Sequence, residues 1–260
     1  MTTISIINLK GGVGKTVSAI NIAFVLSSLH GQRVLLIDND KQANTSKFFG
    51  LHSDNDPCMA EILTVKGIDA VDVIKHTQYS GLDVLPANMS LLRANKEALI
   101  DTTRPQQTRL KRALKSVTGR YDYCLIDNAP DVNISVINAL MITDDVLVPV
   151  KIDKFAFDGL DVLAEQVEEV KEANERLNFA GCFITMFQRN NVNTQGLELL
   201  RREAKYPVFQ TVIRNTVKVG ETTFSGEPLQ EYSKNSTAAR DYVSLVDEYL
   251  GLGKRGGAIG

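Results

Sequence analysis

The sequence predicts an α/β fold in which a mostly parallel, twisted sheet has helices on both faces. Short apolar, β-branched segments alternate with longer amphipathic segments along the whole chain, which is the order expected of successive βαβ units. Several short segments are apolar at consecutive positions, as in strands that are covered on both faces. The 260 residues are 43% hydrophobic and 23% charged, so one domain can bury a substantial core.

The predicted strands are the short apolar segments. They comprise residues 4–8, 34–38, 82–86, 123–127, 146–150, 182–186 and 208–213. The predicted helices are the amphipathic segments between and after these strands. They comprise residues 15–29, 107–118, 134–142, 159–177, 195–205 and 237–250. Residues 1–250 are therefore predicted to form a single domain.

Two segments are predicted to lack regular structure. Residues 215–236 contain Gly220, Gly226 and Pro228 and are predicted to form a loop that crosses a functional face. Residues 251–260 are rich in glycine and are predicted to form a flexible C-terminal tail.

The composition argues against several functional classes. The net charge of −2 gives no general basic field, so nucleic-acid binding would need a local patch. Cys58, Cys124 and Cys182 form no CxxC pair, which predicts neither a zinc site nor an iron–sulfur cluster and fits a reducing cytoplasm. The first residues lack a signal-peptide pattern, and no apolar stretch reaches the roughly 18 residues of a membrane span. We therefore expect a cytoplasmic protein that does not insert into a membrane.

A glycine-rich loop separates the first predicted strand from the first predicted helix. Residues 10–16 read Lys-Gly-Gly-Val-Gly-Lys-Thr, and glycines at this spacing let the backbone curl so that its N–H groups point inward. The helix adds its positive dipole end, so the loop is predicted to bind phosphate. Lys15 is predicted to reach the β- and γ-phosphates, and the Thr16 hydroxyl to bind Mg²⁺. The predicted nucleotide contacts are Gly11, Gly12, Val13, Gly14, Lys15, Thr16 and Val17.

Acidic residues follow two of the predicted strands. Asp38 and Asp40 come at the end of one apolar strand, and Asp127 ends another. Because ligands bind at the carboxyl ends of parallel strands, these carboxylates are predicted to face the nucleotide. Asp38 and Asp127 are the candidates to hold the metal with its water shell, and Asp40 is the candidate to orient the attacking water. For Asp38 and Asp40, an aspartate that caps a helix or a turn is the alternative, and for Asp127 it is a purely structural role.

The glycine-rich loop departs from the ordinary pattern, because Leu9 stands where a glycine is usual and Lys10 precedes the glycines. In this respect the sequence resembles the deviant Walker A superfamily of P-loop NTPases, which includes the ParA and Soj partition ATPases, MinD and the nitrogenase iron protein. The resemblance covers nearly the whole chain and implies a single-domain P-loop NTPase that binds ATP and Mg²⁺. It also implies a catalytic Lys10 that crosses to the partner subunit's nucleotide in an ATP-dependent homodimer. A solvated lysine at a strand end is the alternative.

The acidic segments resemble the same superfamily. Its members read Asp-x-Asp-Pro-Gln where residues 38–42 read Asp-Asn-Asp-Lys-Gln, and their second aspartate assists hydrolysis, which implies a catalytic Asp40. Lys41 replaces the proline, which leaves the geometry of this loop open. Residues 123–127 have the Walker B form, which implies that Asp127 lies near Mg²⁺, usually through water.

Base and DNA contacts are implied mainly by the resemblance. The strand that ends at residue 186 and residues 213–215 are expected to flank the adenine, with Asn215 either a polar base contact or a turn residue. Between residues 189 and 218 the chain has six basic residues against two acidic ones. The partition ATPases bind DNA non-specifically through arginines in this region, which implies Arg189, Arg214 and Lys218 as phosphate contacts. A solvated basic helix is the alternative.

Within the superfamily the sequence favours a small Soj-like partition ATPase. The tail lacks the membrane-binding helix of MinD-type proteins, and the cysteines do not match the cluster ligands of the iron proteins. No N-terminal DNA-reading domain is expected, since the phosphate loop begins at residue 10. The resemblance implies ATP-dependent dimers that coat nucleoid DNA and are released when a ParB-like centromere-binding partner stimulates hydrolysis, in plasmid, chromosome or mobile-element partitioning. The alternative is a positioning ATPase that scaffolds a membrane or polar protein complex without binding DNA.

Overall fold

An eight-stranded sheet forms the centre of the chain in the computed structural model, which describes residues 1–153, 156–203 and 205–256. The strands are β1 (Thr2–Ile6), β2 (Val34–Asn39), β3 (Lys75–His76), β4 (Leu82–Leu85), β5 (Tyr123–Asn128), β6 (Asp145–Lys151), β7 (Asn178–Phe187) and β8 (Val208–Arg214). Their spatial order is β3-β4-β2-β5-β1-β6-β7-β8. Neighbouring strands are parallel except for the antiparallel pair β3 and β4.

Helices cover both faces of this sheet. They are α1 (Lys15–Ser28), α2 (Asn44–Phe48), α3 (Met59–Thr64), α4 (Ser90–Ile100), α5 (Arg109–Ala113), α6 (Ile134–Leu140), α7 (Ala156–Lys171), α8 (Asn191–Glu203), α9 (Val217–Ser225), α10 (Leu229–Ser233) and α11 (Thr237–Gly256). Short 3-10 helices cover Ala70–Asp72 and Leu114–Val117. Helices α1, α10 and α11 belong to the core on one face, and α3 to α8 belong to the core on the other. Within these described ranges, every helix is too short or too polar to cross a membrane.

The central strands are buried on both sides. Every residue of β2 is buried, and its alternate side chains enter different cores. Val34 and Leu36 belong to the cluster that contains α1 and α11, whereas Leu35 and Ile37 belong to the cluster that contains α3 and α4. Continuous apolar strands covered on two faces are what the sequence predicts, and the predicted α/β class is confirmed.

Side chains close the free edge of β8. Glu248 on α11 accepts hydrogen bonds from the backbone N–H groups of Gln210 and Thr211, at 2.7 and 2.9 Å. Asp241 on the same helix accepts one from the backbone N–H of Arg214 at 2.9 Å. At the opposite edge, β3 is only two residues long. Three backbone N–H groups of β8 are thereby satisfied by α11, and β3 is too short to offer many such groups to a further strand.

The predicted and observed elements agree best at the centre of the sheet. Each predicted strand overlaps an observed strand, and each predicted helix overlaps an observed helix. Strand β3 and helices α2, α3 and α4 have no predicted counterpart. The first three are too short to show a hydrophobic period, whereas α4 has 11 residues and was missed. Helix α11 continues to Gly256, past the predicted end at residue 250, and residues 257–260 of the predicted tail lie outside the described residues.

The predicted loop over residues 215–236 is wrong, since α9 and α10 occupy most of this segment. The Thr216 hydroxyl caps α9 by accepting a hydrogen bond from the Lys218 backbone N–H. Gly226 ends α9 in the left-handed region, at a φ of 70°, and Pro228 directly precedes α10. The glycine and the proline therefore mark helix ends rather than a continuous loop.

We expect Gly226→Ala to destabilise the protein by about 1–3 kcal/mol, because the added Cβ would lie 2.8 Å from the Phe48 carbonyl oxygen and the φ is positive. Gly220→Ala in the same helix is the matched control, since no atom lies within 4 Å of the added Cβ. The control should gain about 0.5–1 kcal/mol from its helix propensity. Urea unfolding without nucleotide measures both, and equal stabilities for the two variants would contradict this account.

Candidate functional site

The glycine-rich loop curls between β1 and the first turn of α1. Gly12 and Gly14 have φ angles of 71° and 87°, in the region that favours glycine, and Gly14 caps α1. From the end of β7, the Thr185 hydroxyl donates a hydrogen bond to the Val13 carbonyl at 2.8 Å. The loop therefore opens above the N-terminus of a long helix, which is a ready site for an anion.

Lys15 lies inside this loop. Its residue surface is 8% exposed, and its Nζ donates a hydrogen bond to the Lys10 carbonyl at 3.0 Å. Burial lowers the pKa of Lys15, against the opposing effect of the Asp127, Asp40 and Asp131 carboxylates. The Lys15 ammonium is therefore largely dehydrated, and its hydrogen-bond acceptor is the neutral Lys10 carbonyl. A bound phosphate would give it a negatively charged acceptor instead.

Lys10 points away from the loop toward the end of β6. Its ammonium forms an ion pair with Asp153, and its backbone N–H donates a hydrogen bond to the Asn8 side chain at 2.8 Å. The Lys10 side chain remains partly exposed, so it is not locked in the core. Its implied contact with a partner subunit's nucleotide stays a prediction, and the observed pairing is within one chain.

Asp38 is fully buried at the end of β2 and anchors α2. One carboxylate oxygen accepts hydrogen bonds from the Ser46 backbone N–H and hydroxyl, at 2.8 and 2.7 Å. The other accepts one from the Asp40 backbone N–H at 3.2 Å. Burial raises the pKa of Asp38, and the hydrogen bonds from Ser46 oppose this shift. Since protein donors already occupy both oxygens, Asp38 acts in this structure as an anchor for the loop and α2, and its role toward a metal stays a prediction.

Asp127 is the better candidate for a metal site. Its Oδ2 accepts a hydrogen bond from the Thr45 hydroxyl at 2.8 Å, whereas its buried Oδ1 has no hydrogen-bond partner among the described residues. Burial raises the pKa of Asp127, and so does the neighbouring Asp38 carboxylate, while the nearby Thr45 and Thr16 hydroxyls lower it. An unsatisfied carboxylate oxygen beside the Thr16 hydroxyl fits the oxygen ligands that Mg²⁺ takes, directly or through water.

The loop that carries Asp40 is held in a turn. The Asp40 carboxylate accepts a hydrogen bond from the Gln42 backbone N–H at 2.9 Å, which is the turn role named as its alternative. Ala43, at the start of α2, has a φ of 55° although it is not glycine, so the backbone is strained there. Lys41, the residue that replaces the family proline, lies 4.0 Å from Asp131 in an ion pair. This pair links the loop after β2 to the loop after β5.

The predicted base pocket lies where β7 and β8 end. The Asn215 backbone N–H donates a hydrogen bond to the Phe187 carbonyl at 2.9 Å, which holds the two strand ends together. Met186 has a left-handed φ of 53° and lies close to Gly14. Asn215 is exposed beside this junction. The two segments predicted to flank the adenine therefore lie beside the glycine-rich loop. The contact of Asn215 with the base stays a prediction.

Two of the three predicted DNA contacts are engaged in ion pairs. Arg214 donates to both carboxylate oxygens of Asp241, and this partner raises the pKa of the guanidinium. Lys218 pairs with Glu221 at 2.7 Å. Arg189 is exposed and forms no ion pair within the described part of the chain. Its charge is thus the most available of the three.

Three residues of the site have no counterpart in the sequence predictions. Thr45 and Ser46 bind the buried acids from the first turn of α2. Hydroxyl residues shortly after an acid at a strand end are a signal that could have indicated them. Asp153 is far from Lys10 in the sequence, and no local pattern connects the two.

Comparisons with known proteins agree with this geometry. A family model described as an AAA domain matches residues 1–179. The sporulation initiation inhibitor protein Soj of Bacillus subtilis is 37% identical over 253 residues, which cover 96% of this chain and 98% of Soj. The chromosome partitioning protein ParA of Caulobacter vibrioides is 33% identical, over 96% of this chain and 94% of ParA. The chain belongs to the Soj and ParA family of AAA-domain ATPases.

Solved structures extend the comparison. Cobyrinic acid a,c-diamide synthase from Mycobacterium smegmatis, with a bound ATP analogue and magnesium, superposes with a TM-score of 0.84 at 26% identity. The match covers 98% of this chain and 97% of the synthase. A protein of the Soj and ParA family therefore shares its fold with a nucleotide-bound enzyme over nearly its full length, which confirms the P-loop ATPase fold.

We expect Asp127→Asn to stabilise the protein against urea when nucleotide and divalent cations are absent. Because burial raises the folded-state pKa above the ordinary value of 3.8, the folded wild type binds more protons than the unfolded chain. Its stability is then fully present below that value and is lost as the pH rises through the raised pKa. The asparagine variant avoids this loss, so its advantage should be small near pH 3 and at least about 1 kcal/mol near pH 8.

Asp122→Asn is the control of opposite sign. Hydrogen bonding to Arg33 lowers the pKa of Asp122 to about 2, so its charged form supports folding and its removal should reduce stability near pH 8. If Asp127→Asn instead lost stability near pH 8, the inference that the buried, charged Asp127 carboxylate destabilises the folded protein would be wrong.

Proposed function

We propose that this chain is a Soj-like partition ATPase that binds ATP with Mg²⁺, forms a homodimer and binds DNA non-specifically. The observation that carries the proposal is the convergence of the buried Lys15 ammonium, the Thr16 side chain and the unpaired Asp127 oxygen at the N-terminus of α1. The full-length similarity to Soj and ParA supports the partition role.

The phosphate loop would hold the nucleotide. Backbone N–H groups of residues 11–17 surround the anion, and Lys15 exchanges the Lys10 carbonyl for phosphate oxygens. Thr16 and Asp127 are the residues that would hold Mg²⁺, which neutralises the charge of the phosphates when bound. Asn215 and the end of β7 would lie beside the adenine.

Hydrolysis would depend on the loop after β2. Asp40 orients the attacking water, which requires its carboxylate to leave the hydrogen bond with the Gln42 N–H or to share it. Asp38 positions Asp40 through the Asp40 backbone N–H. A centromere-binding partner of the ParB type would accelerate this step by stabilising the competent arrangement of the loop.

Dimerisation would require Lys10 to exchange partners. The ammonium pairs with Asp153 of its own chain, and in the dimer it would reach the nucleotide of the second copy. DNA would then bind to the dimer through paired basic surfaces around Arg189, with Arg214 and Lys218 as further phosphate contacts. A cytoplasmic, nucleoid-associated location follows from this role.

Lys15→Ala should lose tight ATP binding, because the buried counter-charge of the phosphates disappears. Lys10→Ala should retain much of the nucleotide affinity and lose the ATP-dependent dimer, since its side chain is directed away from the loop. Isothermal titration with ATP and Mg²⁺ measures the first property, and sedimentation velocity measures the second. A stable ATP-dependent dimer of Lys10→Ala would refute the crossing role of this lysine.

Arg189→Ala should weaken DNA binding by the ATP-bound protein and lower the slope of log affinity against log salt by about one unit per phosphate contact removed. Arg214→Ala should have a smaller effect, because Asp241 already neutralises this guanidinium. Arg120→Ala is the matched control, because Arg120 is exposed and has no ion pair within the part of the chain that the structure describes. Fluorescence anisotropy with two unrelated duplexes tests the set. If no DNA binds to the wild type with ATP, the positioning-scaffold alternative is favoured.

A further inference from the structure

Helix α9 has apolar residues on two faces. On the inner face, Val219 packs against the core and Thr222 is buried. On the outer face, Val217 is 76% exposed and Phe224 is 94% exposed. These two residues are seven positions apart and so lie on the same side of the helix. An outer stripe of this kind is typical of a helix that a second surface covers.

The exposure of Phe224 is not the result of a loose helix end. The Thr216 cap fixes the start of α9, and Gly226 fixes its end against the Phe48 carbonyl. Just beyond, the Leu229 backbone N–H donates a hydrogen bond to the buried Asn21 side chain at 2.8 Å. Both ends of α9 are therefore held to the domain, and the aromatic ring is presented to solvent by a supported helix.

A cavity of about 780 Å³ lies directly beside this ring. Phe224 lines its edge, and apolar side chains of α1, α2 and the following turn line its walls: Val17, Ile20, Phe48, Phe49 and Leu51. Thr16, the first-turn residue of the phosphate site, borders the same cavity. Polar residues, among them Asn44, Lys47 and Gln78, complete the lining. A protruding aromatic side chain and a hollow with an apolar wall thus occur together on one surface, next to the nucleotide site.

We propose that Phe224 docks into this cavity on a second copy of the chain when the ATP-bound dimer forms. An interface with two-fold symmetry must be self-complementary, and a surface that carries both the projection and the hollow meets this requirement. The neighbouring Lys218 and Glu221 neutralise each other, so no net charge on the helix opposes contact between two copies. The docking contact rests on the proposed ATP-dependent dimer and names the residues that would cover its rim.

The chain contains no tryptophan, so Phe224→Trp introduces a unique fluorescent reporter. With a non-hydrolysable ATP analogue and Mg²⁺, the emission should shift to the blue and acrylamide quenching should fall as the protein concentration rises. ADP should give neither change. Burial that does not depend on protein concentration would overturn the proposal in favour of closure over the cavity of the same chain.

Phe224→Ala provides the second measurement. Loss of a buried phenylalanine side chain should weaken the dimer by at least about tenfold in sedimentation equilibrium with the analogue. Nucleotide binding to the monomer, measured at low protein concentration, should be unchanged. Leu29→Ala is the matched control, because Leu29 is 53% exposed at the opposite end of α1. Wild-type affinity in Phe224→Ala would overturn the docking contact alone. A wild-type protein that remains monomeric with ATP would instead overturn the proposed function.

Discussion

Two carboxylates lie side by side in the centre of the sheet, and the geometry of the site depends on how they are held. Strands β2 and β5 are neighbours, and Asp38 is directly opposite Asp127 in their register. The Asp38 carboxylate raises the pKa of Asp127, and two buried acids cost stability unless donors or cations face them. The first turn of α2 supplies those donors through Thr45 and Ser46. The position of α2 is therefore fixed by the acids.

The same contacts explain how the surrounding loops are arranged. The Ser46 hydroxyl accepts a hydrogen bond from the Ala87 N–H at 2.9 Å while it donates to Asp38, so the loop after β4 joins the network. To reach the acids, the chain takes the strained conformation at Ala43. Strain next to buried charge is common where a site must respond to a ligand, and a phosphate or a metal would change the charge at the centre of this network.

The sequence predicts well whatever is encoded locally. The loop around Lys15 and the acids at strand ends have short, fixed spacings, and the structure brings Lys15, Thr16, Asp38 and Asp127 together. Contacts between distant segments are not encoded in this way, which is why the Lys10 pair with Asp153 is not predicted. Composition also misleads when helix-ending residues are read as loop residues, as at α9 and α10. Helix α4 is absent from the sequence predictions, although its buried residues Leu91, Ala94 and Ala98 have helical spacing in the sequence.

The contacts of α11 with the edge of β8 limit one way in which copies of this protein could associate at high local concentration, namely the pairing of strand edges. Free strand edges allow molecules to add to each other without limit, as in fibres. Glu248 and Asp241 occupy three N–H groups of β8. Pairing with a further strand is therefore disfavoured at that edge. Asp241 also pairs with Arg214, so a carboxylate that occupies the edge of β8 reduces the positive charge of the neighbouring surface. Protection from aggregation and affinity for polyanions are therefore set against each other in α11.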